Sequence, residues 1–176
     1  MPRSTGCWSG RARSNRKGAS RNRRWWVAER QERVLPTVED TEALGRELAA
    51  GLRAGDLVVL DGPLGAGKTA LTRGIAAGLG VQGRVSSPTF IIARQHRAGQ
   101  RDGADPVPLV HVDAYRLSGD LDELDALDLD TDLNQAVVVV EWGRGVVEHL
   151  TDRHLRVLLS REPDSEVRTA VWEWVD

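Results

Sequence analysis

Three short runs of this chain are apolar with almost no alternation: LVVL (57–60), PLVHV (108–112) and AVVVV (136–140). Runs of that kind mark strands buried on both faces, as in a parallel sheet sandwiched between other layers. The stretches between them change period. In EDTEALGRELAAGLRAGD (39–56), Leu44, Leu48 and Leu52 recur every fourth residue, which predicts a helix with Thr37 or Asp40 as its cap and Gly55 as its end. In KTALTRGIAAGLG (68–80), Leu71, Ile75 and Leu79 share one helical face and Gly80 is the stop. RVLPTV (33–38) and FIIARQH (90–96) read as further strands, and HLRVLLS (154–160) with RTAVWEWV (168–175) as a terminal strand pair. Strands alternating with helices predict an α/β fold with a largely parallel central sheet and a C-terminal antiparallel strand pair.

The chain has 176 residues, enough for one domain with a short appendage. Its net charge of −2 hides two parts. Residues 1–33 carry ten Lys and Arg against two acids, whereas residues 34–176 carry 14 basic and 24 acidic residues. The basic head lacks apolar periodicity and reads as a disordered extension, with the folded domain at 34–176. It has no apolar core of the sort a secretory signal needs. No run reaches the length of a membrane span. The single cysteine, Cys7, cannot form an internal disulfide, so a reducing cytoplasm is the expected compartment.

Two features suggest chemistry, and one of them fails. Asp128, Asp130 and Asp132 have the spacing of a calcium loop, but Leu133 stands where that loop needs glycine and Val139 where it needs glutamate. Leu121, Leu124 and Leu127 point instead to an amphipathic helix with a solvated acidic face. The other feature is DGPLGAGKTALTRG (61–74), which holds Lys68, one of only two lysines in the chain. Gly62, Gly65, Gly67, Lys68 and Thr69 match G-x-x-x-x-G-K-[ST], between a buried-type strand and a helix. Glycines let backbone N–H groups converge on phosphate oxygens, and the following helix offers its positive end. Lys68 then reaches the terminal phosphates, Thr69 coordinates Mg²⁺, and Ala66 and Ala70 complete the cradle. The fold is thus a P-loop NTPase-like sandwich.

Two acids directly follow apolar runs, Asp113 and Glu141. If their strands run parallel to 57–60, both emerge at the sheet edge that carries the loop. Guanine recognition usually uses an N-K-x-D segment, which a chain without lysine beyond position 68 cannot have, so ATP is the expected nucleotide.

GPLGAGKT, SSPTF (86–90), HVDAYRL (111–117) and VEWG (140–143), in this order, resemble the TsaE family over about residues 34–176. That family contains small bacterial ATPases needed to make threonylcarbamoyladenosine in tRNA. The resemblance implies that Lys68 and Thr69 bind phosphate and Mg²⁺, and that Ser87, Pro88 and Thr89 form a switch near the γ-phosphate. It also implies that Asp113 supports hydrolysis and Glu141 helps hold Mg²⁺. Thr37, in the turn at 36–40, and Arg168 approach the adenine in this picture. Tyr115, Arg116 and Trp142 complete motifs without an assigned role. Asp128 stands where the family usually has glycine. The implied partner is a TsaD–TsaB pair, reset by ATP hydrolysis, with tRNA met only through that complex.

Two rival readings stand beside this one. A small-molecule kinase would use Arg94, Arg97 and Arg101 in ARQHRAGQRDGADP (93–106) as a lid, although the segment also reads as an ordinary polar hairpin loop. An RNA-binding adaptor would use the basic head with Trp8, Trp25 and Trp26.

Overall fold

The computed structural model describes residues 30–86, 93–116 and 127–176. Seven strands form one sheet in the order β1-β7-β6-β2-β5-β4-β3. They are β1 (Gln31–Leu35), β2 (Leu57–Asp61), β3 (Ala93–His96), β4 (Leu109–Asp113), β5 (Val137–Glu141), β6 (His154–Arg161) and β7 (Arg168–Val175). The four central strands β6, β2, β5 and β4 are parallel, while β7, β1 and β3 join antiparallel. The expected parallel centre and terminal antiparallel pair are both present. β1 starts at Gln31, so the sheet takes in three residues that the charge boundary assigned to the basic head.

Helices α1 (Val38–Ala49) and α2 (Lys68–Leu79) cover one face of the sheet. Leu44, Leu48, Leu71, Ile75 and Leu79 pack there on Val58, Leu60, Val137, Val139 and Val157. The short helix α3 (Leu129–Leu133) covers part of the other face, with Leu129 and Leu133 against Val59, Val138 and Val140. The Thr37 hydroxyl accepts the Asp40 N–H at 3.1 Å, and the Asp40 carboxylate accepts the Thr37 N–H at 3.0 Å, so both expected capping residues serve in one reciprocal cap.

α1 ends at Ala49 instead of running on to Gly55. The chain has to turn back there to enter β2, and Gly55, at φ 95°, makes the later turn into the strand. Arg101 donates to the carbonyls of Ala49 and Leu52, at and just beyond the end of the helix, adding to the Leu52 N–H that Ala49 already accepts. α1 and α2 meet backbone to backbone. A Cβ on Gly74 would lie 2.1 Å from the Glu42 oxygen, and one on Gly45 would lie 2.4 Å from the Leu71 oxygen.

Asp128 has φ 50° and ψ 40°, the left-handed region that glycine enters freely. Its carboxylate accepts the Thr131 hydroxyl at 2.9 Å. Asp128 therefore adopts the backbone shape that glycine would favour. Leu127 packs with the α3-side core, whereas Leu121 and Leu124 of the expected amphipathic helix lie outside the described residues.

Candidate functional site

Because β2, β4 and β5 are parallel, their C-terminal ends share one edge. Asp113 is directly opposite Glu141 in the β4–β5 register, and Glu141 is opposite Leu60. The period of two puts Leu109, His111 and Asp113 on one face of β4, and Val137, Val139 and Glu141 on the same face of β5. That is the face covered by α2, whose first residues are Lys68 and Thr69. A loop, a lysine, a hydroxyl and two acids are thereby gathered above three strand ends.

The loop from Gly62 to Gly67 has the left-handed turns its sequence requires, with Gly62, Gly65 and Gly67 all at positive φ. At Gly62 a Cβ would sit 2.1 Å from the Leu159 carbonyl oxygen, so that position admits no side chain. Gly67, at φ 105°, opens α2 without a side-chain cap, which leaves the first helical N–H groups for an anion. Lys68 is buried and folds back over the loop, its Nζ donating to the Gly62 oxygen at 2.7 Å and the Pro63 oxygen at 3.0 Å. Burial lowers the Lys68 pKa, and Glu141, Asp61 and Asp113 pull it back up.

The Thr69 hydroxyl donates to Glu141 Oε1 at 2.9 Å and lies 3.3 Å from Oε2. Glu141 is buried and also meets His111 Nε2 at 2.8 Å. Asp113 is buried too, and its Oδ1 accepts the Tyr115 N–H at 3.1 Å. A hydroxyl and carboxylates are hard oxygen donors. Mg²⁺ typically takes one or two protein carboxylates and completes its shell with water and phosphate oxygens, so this set fits it. No cluster of three His, Cys, Asp or Glu able to hold a metal by itself occurs among the described residues.

The turn at Thr37 and the start of β7 come together beside the loop, since Leu35 pairs with Arg168. A Cβ on Gly67 would lie 3.2 Å from Arg168 Cδ and 3.6 Å from Thr41 Cγ2. The buried Arg168 donates to the Glu166 carbonyl at 2.6 Å, while its Nε has no hydrogen-bond partner. Ser87, Pro88 and Thr89 lie outside the described residues. The arginine-lid expectation is corrected by topology. β3 is antiparallel to β4, so the loop after His96 leads to Leu109 at the sheet edge away from the glycine loop. Arg101 is occupied at the end of α1, and Arg94 donates to the Ser86 hydroxyl at 3.3 Å.

Three neighbours of the site had no assigned part in the sequence reading. Trp142 lies against Lys68, and its ring centroid is 5.1 Å from that of Tyr115. Arg144 pairs with Asp61 at 3.2 Å. His111 is the third. A period-two reading of PLVHVD would have found it, because a polar residue two before Asp113 shares its face.

An apolar strand, a glycine loop with Lys and Thr opening a helix, and strand-end acids above a parallel sheet define a P-loop protein of the nucleotide-binding type. The model of the family "Threonylcarbamoyl adenosine biosynthesis protein TsaE" matches residues 35–170. The chain belongs to the TsaE family, which acts in tRNA threonylcarbamoyladenosine biosynthesis. It is 57% identical over 146 residues to a Mycobacterium tuberculosis protein named tRNA threonylcarbamoyladenosine biosynthesis protein TsaE, covering 80% of this chain and 85% of that one. The Streptomyces coelicolor protein of the same name is 62% identical over 118 residues, 67% of this chain and 77% of the relative. The crystal structure of Bacillus subtilis YdiB superposes with a TM-score of 0.62 at 31% identity, covering 83% of this chain and 86% of that one. No helix among the described residues is long and apolar enough to cross a membrane.

Proposed function

We propose that this protein binds ATP with Mg²⁺ and hydrolyses it to reset a TsaD–TsaB complex between rounds of tRNA modification. The observation that carries the reading is the contact between the Thr69 hydroxyl and Glu141, with Asp113 in the adjacent register position. In this reading the loop N–H groups and Lys68 Nζ receive the β- and γ-phosphates, and Lys68 gives up its loop carbonyls to do so. Thr69 and Glu141 hold the metal, directly or through water. Mg²⁺ supplies charge neutralisation of the phosphate oxygens. The Asp113 carboxylate orients the attacking water and accepts its proton, or acts through the outer shell of the metal. Thr37 and Arg168 flank the adenine side, and Ser87–Thr89 respond to the γ-phosphate. Cytoplasmic action on tRNA through the partner pair completes the proposal.

The test is ATPase activity of the full chain with and without a purified TsaD–TsaB pair. Slow turnover alone and marked stimulation by the pair are expected, because in this reading a partner has to complete the site. Phosphate transfer to an added metabolite in place of water would favour a kinase.

A further inference from the structure

We propose that His111 is a positioning residue: its Nε2–H fixes the Glu141 carboxylate so that it faces Thr69 and the metal position. The inference rests on the reading of Glu141 as the metal-holding acid.

His111 is fully buried in a strand whose other side chains, all buried, are leucine, valine and aspartate. Its ring has one hydrogen-bond partner among the described residues, Glu141 Oε1 at 2.8 Å, and its Nδ1 is buried without a partner. A valine would fill this position in an apolar run without burying an unsatisfied nitrogen. The imidazole therefore stands at a cost, and the bond to Glu141 is its one polar return. A carboxylate only accepts, so Nε2 carries the proton.

The carboxylate needs such a restraint. Its terminal torsion is broad and roughly two-fold, so packing alone defines its plane poorly. Thr69 Oγ1 and His111 Nε2 both reach Oε1, at 2.9 and 2.8 Å. In the proposed function the Thr69 hydroxyl is given over to Mg²⁺. His111 then becomes the remaining donor that holds the carboxylate in plane, a role that outer partners of metal ligands commonly fill.

The experiment compares His111→Gln and His111→Asn in the full chain. The glutamine amide reaches about as far as Nε2, while the asparagine amide stops short. Mg²⁺ affinity is measured by calorimetry in the presence of ADP, and ADP affinity is measured again in EDTA. His111→Asn is expected to weaken Mg²⁺ binding by about 10–100-fold, the usual range for loss of such a partner, with His111→Gln restoring most of it. ADP affinity without Mg²⁺ stays at the parent value in both. Equal Mg²⁺ affinity in the two variants overturns the proposal, as does loss of metal-free ADP binding in His111→Asn. Glu141→Ala is run alongside. If it leaves Mg²⁺ affinity untouched, the assignment of Glu141 has failed; if it abolishes the dependence while His111→Asn has no effect, only the positioning role has failed.

Discussion

The Trp142 ring lies over the Lys68 ammonium, with Nζ 3.7 Å from the ring centroid. Trp142 reaches this place from a backbone at φ 64°, a conformation that costs a bulky residue about 1–3 kcal/mol. The cation is held on one side by the indole and on the other by the Gly62 and Pro63 carbonyls.

Lys68→Ala should weaken ATP binding by about 1.5–3 kcal/mol, the scale of a hydrogen bond to a charged group. Calorimetry decides this, and parent-like affinity would remove the loop from the nucleotide site. If Lys68 turns from the indole to the phosphates, as the proposed function requires, ATP should also change the intrinsic fluorescence. Trp142→Phe should abolish that change.

Asp113 and Glu141 should separate by substitution. Glu141→Ala weakens Mg²⁺-dependent nucleotide binding. Asp113→Asn keeps its size, binds ATP about as well as the parent, and hydrolyses it far more slowly in the presence of the partner pair. An interaction used only in the transition state lowers turnover and leaves binding intact. Full partner-stimulated turnover in Asp113→Asn would make that acid structural.

Deleting residues 1–29 should leave the melting temperature and ATP affinity unchanged. Deleting residues 1–35 removes β1 from its partner β7, together with the buried Leu35. The Leu35 side chain alone is worth about 2–5 kcal/mol at a core position. Thermal unfolding of the two truncations should therefore differ sharply, and equal melting temperatures would refute the boundary at β1.

Acidification should destabilise the fold through His96 and His154. Burial lowers both pKa values from the ordinary 6.5. The unfolded chain thus binds protons first as pH falls, so the stability these groups contribute is present above pH 6.5 and is lost as pH drops through their folded values. The melting temperature should fall between pH 7.5 and 5.5, and His96→Phe with His154→Phe should flatten that fall. An unchanged slope in the double variant would place the titrating groups elsewhere.

The parts of the site that were legible in the sequence are those set by local rules. The glycine spacing gave the loop, the apolar runs gave β2, β4 and β5, and their last residues gave Asp113 and Glu141. The early end of α1 was not legible, because Arg101, 49 residues beyond Leu52, caps it from another loop. Nor was the Lys68–Trp142 contact, which depends on β2 and β5 being neighbours in space. The lid reading failed for a related reason. A run of arginines shows no direction until the antiparallel pairing of β3 sends the loop to the far edge.

The glycine contact between α1 and α2 has a mechanical consequence. With Gly74 against the Glu42 carbonyl and Gly45 against the Leu71 carbonyl, backbone meets backbone at these two points, which leaves the helices little room to slide or tilt there. α1 begins at the Thr37 turn and α2 at Lys68, so the welded pair works as a fixed gauge between the two flanks of the site. A nucleotide would meet a preset span, and any movement between its bound states would have to occur outside this helix pair.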